Sequence, residues 1–388
     1  MLIKNVHIFD GRKKLEGCYD ILIEGSRIAA VKPHDGFPAG EGDIDGSGGY
    51  VMPGLIDLHV HLTWDGQVDP AMDIWHRTGE ENLLETVANT LKYLRAGITS
   101  VRDLGSPDDD AIHVGQAIKR GWFPGPRVFA AGQSIIMTGG HDPFHGIPVD
   151  GPWEACKAVR TQVSKGCAVI KISATGGVYG REEGEAVDDT ELRDEELAMI
   201  MDEAHRRKVP VTAHAIGEMG IRACLKAGID CIEHGQYIQE DMAKTMAEKG
   251  VAYVPTFYIY KHLTEDPNTP EYAREKASKV LEHHKNAVRL AKKYGVTIGT
   301  GSDAGSPNTP HPSLQEELEA LAAGGLTNEE ILAAATGNGA KILRQEGKVG
   351  CIAPGAFADL LLTKEDPCRN ITALRDLSLV IADGKMVD

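Results

Sequence analysis

Apolar and polar positions alternate at both ends of the chain and in short bursts through its middle. At the amino end, "MLIKNVHIFDG" and "DILIEGSRIAAV" alternate with a period of two and are joined by polar turn residues, so strands are predicted there. A glycine-rich stretch, "GEGDIDGSGG", follows. The carboxyl end repeats the pattern in "FADLLLTKEDP" and "LVIADGKMVD". Two strand-rich ends flanking a different middle predict a small β-sandwich domain formed by residues 1–53 with 346–388, and a second domain spanning 54–345. In that middle, strand-like runs at 55–61, 98–104, 127–134, 167–173, 209–214, 229–234, 251–256 and 296–303 alternate with helical patterns. "EENLLETVANTLKYLRAG" and "DEELAMIMDEAHRRK" carry the three-to-four spacing of amphipathic helices, and the first ends at a glycine where a C-cap would sit. Eight strands with intervening helices are what an α/β fold of the (β/α)8 TIM-barrel type requires. A doubly wound open sheet is the runner-up, but no GxGxxG follows the first strand.

One strand carries polar groups that a buried strand does not need. In "PGLIDLHVHL", Asp57, His59 and His61 project to one side, while Ile56, Leu58 and Val60 project to the other. The other predicted strands end in the same way. The fourth reads "AVIKISATGG", with Lys171 inside a β-branched run. The fifth ends "VTAH" at His214, the sixth "CIEH" at His234, and the eighth "GTGSDAG" at Asp303. In a barrel these ends meet at one face. His59, His61, Lys171, His214, His234 and Asp303 would then converge, and imidazoles with a carboxylate favour zinc or a similar divalent ion.

The chain has 388 residues and a formal net charge of -16. That charge argues against a nucleic-acid surface or a basic membrane patch. No stretch of about 18 uncharged apolar residues is present, so no spanning helix is expected. The amino terminus lacks the zones of a signal peptide. Seven scattered cysteines without a CxxC pair read as reduced thiols, most of them small apolar fillers, and a cytoplasmic protein is expected.

The ordered series "PGLIDLHVHL", "VIKISATGG", "TAHA", "IEHG" and "TGSDAG", closed by "GKVGCIAPGAFADLLL", resembles the two-metal members of the amidohydrolase superfamily over nearly the whole chain. The resemblance implies that His59, His61 and Asp303 hold a buried metal and that His214 and His234 hold a more exposed one. Lys171, N-carboxylated, would bridge the two. Such a lysine is chemically sensible, because burial beside cations lowers its pKa and a neutral amine can form a carbamate. The carbamate's two oxygens suit two ions about 3.5–4 Å apart, most simply zinc. A metal-bridging hydroxide would attack an amide carbonyl, with Asp303 as base and then acid.

"TSVRDLG", "MTGGHDPFHG" and "SATGGVYG" resemble the Xaa-Pro dipeptidase-like (prolidase-like) branch. This implies a dipeptide or N-acyl amino acid as substrate, His141 as an aid to the carbonyl, and a homo-oligomer. Arg181, Lys261 and Arg102 are candidates for the substrate carboxylate. Tyr258 and Tyr260 are candidates for the mouth, Tyr258 being the one chosen. Asp57 reads as structural, His113 and His145 as structural or exposed, and His283 and His284 as solvated. The alternatives are a one-metal cyclic amide (imidazolone) hydrolase or deaminase, a non-catalytic relative, and a phosphotriester or lactone hydrolase.

Overall fold

The alternation at the two chain ends resolves into one eight-stranded sheet in the computed structural model, which describes residues 1–38, 40, 42–180 and 184–387. Leu2–Ile8, Tyr19–Glu24, Arg27–Pro33, Ile44–Asp45 and Tyr50–Pro53 come from the amino end. Leu360–Thr363, Leu377–Ala382 and Lys385–Met386 come from the carboxyl end. Tyr50–Pro53 runs antiparallel to Leu360–Thr363, which knits the termini together. Leu2–Ile8 bends at Asn5, whose φ is 57°. Before the bend Leu2 and Ile3 pair with Leu22 and Ile21; after it His7 and Ile8 pair with Tyr50 and Val51. One strand thus serves both halves of the sheet, around a core that includes Ile3, Val6, Ile21, Val51, Leu360 and Ile381.

The middle of the chain forms two parallel sheets. Leu55–Val60, Ile98–Asp103 and Arg127–Ala130 make the first. The second runs Gly146–Pro148, Ser134–Ile136, Ile170–Ser173, Val211–Ala215, Cys231–His234 and Ala252–Val254 in spatial order. Helices link most successive strands, as parallel pairing usually requires, but a loop alone joins Ser134–Ile136 to its parallel neighbour Gly146–Pro148. Gly79–Thr90 opens on a capping box between Thr78 and Glu81. The predicted second helix appears as Asp194–Arg206. No helix among the described residues is long and apolar enough to cross a membrane.

Two predicted strands differ in detail. The third, 127–134, splits into Arg127–Ala130 and Ser134–Ile136, because Gly132 at φ 73° turns the chain between them. The eighth, 296–303, is not a regular strand. It still bonds on both sides: Tyr253 N–H reaches the Thr297 carbonyl at 2.9 Å, and Leu58 N–H reaches the Thr300 carbonyl at 2.8 Å. Farther along, Asp303 N–H donates to the His59 carbonyl and His61 N–H to the Ala304 carbonyl, both at 2.8 Å. A side chain at Gly301 would place its Cβ 2.7 Å from the His59 Cβ, so only glycine lets this segment lie so close. Across the other gap between the sheets, Ala168 N–H donates to the Ala130 carbonyl at 2.8 Å.

Candidate metal centre and active site

Strand alternation aims most of the predicted ligands inward, and two backbone turns aim the rest. In register, Lys171 stands beside Thr212, and His214 beside both Ser173 and Glu233. Residues in register share a face, so Lys171, His214 and Glu233 face the same interior. His234 follows Glu233 directly and would face outward by alternation. Its φ of 68° breaks the alternation and turns its ring inward as well. Asp303 does the same after Ser302, with φ 59°. Left-handed backbone at a non-glycine residue costs about 1–3 kcal/mol and persists where its surroundings hold it.

The donor atoms of His59, His61 and Asp303 lie within 4.8 Å of one another, and all three residues are buried. His61 Nε2 is 3.4 Å and His59 Nε2 3.7 Å from the same Asp303 oxygen. Two ligands at about 2.1 Å from one tetrahedral ion stand roughly 3.4 Å apart, so these three residues fit a metal. The His214 and His234 rings lie 4.5 Å apart, and the His59 and His234 rings 5.0 Å apart. Buried Lys171 lines the same cavity. Burial lowers its pKa, and Arg102 pushes the same way.

The far nitrogen of each imidazole is engaged, which selects the nitrogen left for a ligand. His59 Nδ1 is 2.9 Å from Glu233 Oε2, His61 Nδ1 is 3.2 Å from the Gly105 carbonyl, and His234 Nδ1 is 2.7 Å from Thr256 Oγ1. His214 is reversed: its Nε2 faces the Gly176 carbonyl at 3.3 Å, leaving Nδ1 free. Below His59, Arg102 donates to the other Glu233 oxygen at 2.5 Å and to the Leu58 carbonyl at 2.6 Å. Thr212 Oγ1 also bonds Glu233. Burial works against the Glu233 charge, but Arg102 and His59 outweigh it and hold the carboxyl at about 2. Asp57 accepts from Ser302 N–H at 2.9 Å and Ser302 Oγ at 2.6 Å, the structural role expected of it.

His141 reaches the same cavity from the loop after Ser134–Ile136, its ring 4.3 Å from that of His214. Its Nδ1 is 2.7 Å from Glu185 and its Nε2 3.1 Å from Asp142. Burial opposes its charge, yet Asp142 and Glu185 prevail and raise its pKa to about 9. Its ring packs on Gly177, where any Cβ would come within 2.0 Å of it. The cavity above these groups has a volume of about 280 Å³.

The structure brings His59, His61, His141, Lys171, His214, His234 and Asp303 to this one cavity. It does not bring Tyr258 there. Tyr258 stacks on His262 at 5.3 Å and its N–H bonds Glu317, because the cavity-facing side of helix Phe257–Glu265 carries Ile259, Tyr260 and Leu263. Arg102 is not at the mouth but buried beneath His59, and Lys261 pairs with Glu265 outside the cavity. Arg181 lies outside the described residues. His284 is buried against Phe257 at 4.6 Å, contrary to the solvated reading; only His283 is exposed. His145 is buried and bonds Ser134, a structural place. The sequence patterns assign no role to Glu233, Thr256 or Glu185. Glu233 stood in the quoted "IEHG", but alternation alone sends it away from its neighbour.

Residues 50–387 match the amidohydrolase family. Ochratoxinase from Aspergillus niger is 29% identical over 363 residues, covering 84% of this chain and 72% of that protein. Among solved structures, a Xaa-Pro dipeptidase with methionine bound in its active site is 31% identical, with a TM-score of 0.89 over 100% of this chain and 99% of that one. A prolidase complexed with N-methylphosphonate-L-proline is 29% identical, with a TM-score of 0.91 over 100% and 99% of the two chains.

Proposed function

The chain belongs to the amidohydrolase family, a hydrolase acting on carbon–nitrogen bonds, and from that premise we propose that it is a two-metal enzyme cleaving the amide bond of a dipeptide or N-acyl amino acid. The observation that carries this reading is the convergence of His59, His61 and Asp303 within one ligand-sized gap, with Lys171, His214 and His234 lining the same cavity. His59, His61 and Asp303 would hold one divalent ion, His214 and His234 the second, and Lys171 as its carbamate would bridge them, zinc being the simplest choice. Such a pair supplies an acidified water and polarises the amide carbonyl.

The remaining work falls to side chains. Asp303 takes a proton on its carboxylate and returns it to the leaving amine. Burial pushes the Asp303 carboxyl up, but the imidazoles of His59, His61 and His234 around it outweigh this and hold it well below its ordinary pKa, so it is ionised and has lone pairs to accept a proton. His141, protonated near neutral pH, donates to the carbonyl oxygen as charge builds there. The relatives named for Xaa-Pro dipeptides and for a proline phosphonate support a substrate of this kind. We read the two parallel sheets and the segment at 296–303 as one (β/α)8 barrel, on the strength of the hydrogen bonds crossing both gaps. Residues 1–53 with 346–388 then form the appended β-domain.

The test is metal content and turnover together. Zinc-loaded protein should carry two ions per chain and release amine from a panel of Xaa-Pro, Xaa-Arg and N-acetyl amino acids. One ion per chain, unaffected by Lys171→Ala, would favour the single-metal cyclic amide hydrolase or deaminase instead.

A further inference from the structure

A chain of aromatic rings leads out of the metal centre. Trp64 lies flat on His61, with ring centroids 3.9 Å apart and planes 15° from parallel. Phe144 follows at 4.9 Å from Trp64, and Trp75 stands edge-on to Phe144 at 6.2 Å. All three line the cavity, and exposure rises outward along them. Trp64 is buried, Phe144 half-buried, and Trp75 is 60% exposed on the short helix Pro70–His76. Val178, Ile259 and Leu263 add a further apolar surface to the same cavity. Carboxylates outnumber cationic groups among the described lining residues. Among the described lining residues Lys171 is the only lysine or arginine, whereas Asp69, Asp142 and Glu185 are all acidic.

We propose that the Trp64–Phe144–Trp75 track is the subsite for a large apolar side chain, aromatic or branched aliphatic, on the amide substrate. The proposal rests on the amide-hydrolase reading above and narrows it. A large tryptophan left in water at the rim gains contact only when something apolar covers it, and stacked or edge-on rings prefer another ring. An acidic side chain would meet Asp69, Asp142 and Glu185 along the described wall. A small side chain would leave the track wet.

The experiment compares kcat/KM for N-acetyl-L-phenylalanine, -leucine, -alanine and -aspartate with the zinc-loaded enzyme. Phenylalanine and leucine should exceed alanine by about tenfold or more, the scale of discrimination in an apolar pocket, and aspartate should be poorest. Trp75→Ala and Phe144→Ala should each narrow the phenylalanine-to-alanine ratio, by about tenfold together. Trp75 is exposed, so its truncation spares the core, and an unchanged melting temperature would show this. A flat series, a preference for aspartate, or a ratio untouched by both substitutions overturns the track. If no amide in this series or in the Xaa-Pro and Xaa-Arg panel is cleaved, the amide-hydrolase reading fails. Calorimetric binding of the same four compounds then decides the subsite alone: tighter phenylalanine binding that Trp75→Ala abolishes supports it, and equal binding overturns it.

Discussion

The floor and the mouth of the cavity are built on opposite principles. On the floor every imidazole is buried and has its far nitrogen held by a named acceptor, with the Arg102–Glu233 ion pair locked beneath. At the mouth the walls are rings and aliphatic groups, and exposure climbs to the solvent-facing Trp75. A floor of this kind fixes ligands to a fraction of an ångström, which chemistry on an ion requires. A mouth of this kind sorts substrates by size and polarity, which needs area more than direction. Substitutions on the floor should therefore abolish turnover or metal binding, and substitutions toward the rim should only shift preferences.

Lys171→Ala is the strongest way to break that contrast. It should leave at most one ion per chain and turnover near background, as read by elemental analysis beside an amine-release assay. Asp303→Asn should come next, lowering kcat by about 10³-fold, within the range for a lost general base. Metal content should stay near that of the wild type; near-normal turnover would remove its role in proton transfer. His141→Ala, between floor and mouth, should lower kcat by about 10²-fold with metal content intact, and an unchanged rate would make it a bystander.

Glu233→Gln tests whether the support beneath the floor matters. It should weaken metal affinity by about 10–100-fold in a competitive chelator titration, because the His59 ring loses its charged partner. It should also destabilise the apoprotein by about 3 kcal/mol, since Arg102 is left buried without its counter-ion. Equal affinity in wild type and variant would show that His59 needs no such anchor.

The smallest effect belongs to Glu191, which accepts the His141 N–H at 2.6 Å. Burial raises its pKa to about 7, with His141 only partly offsetting it. The folded pKa lies above the unfolded one, so the unfolded state sheds this proton first as pH rises. Wild-type stability should therefore fall between about pH 4.5 and 7, by no more than about 3 kcal/mol from this group. Glu191→Gln keeps an acceptor and cannot ionise, so its stability relative to wild type should climb across that window in urea unfolding. A constant difference from pH 5 to 7 would deny the burial effect.

Much of the floor could be read from the chain alone. His59, His61, Lys171, His214, His234 and Asp303 each sit at or in an apolar run, and a period of two tells which side His59, His61, Lys171 and His214 face. The mouth could not be read. Tyr258 and Tyr260 looked alike in "PTFYIY", and only the setting of helix Phe257–Glu265 put Tyr260 on the wall and Tyr258 against His262. His283 and His284 sat side by side in a charged helix, yet one is exposed and the other sealed under Phe257.

What the amino-acid order determined by itself was local: where strands and helices run, which polar groups interrupt apolar strands, and therefore what chemistry the strand ends can hold. That information travels along the backbone through fixed periodicities and needs no partner. What only the tertiary structure decided was pairing across distance. Arg102 meets Glu233 and Glu233 meets His59 although they lie 131 and 174 positions apart, and the left-handed turns at His234 and Asp303 reverse the side that alternation assigns. No period links such residues; their meeting depends on how the sheets and helices close around one another, and that closure is a property of the packed whole.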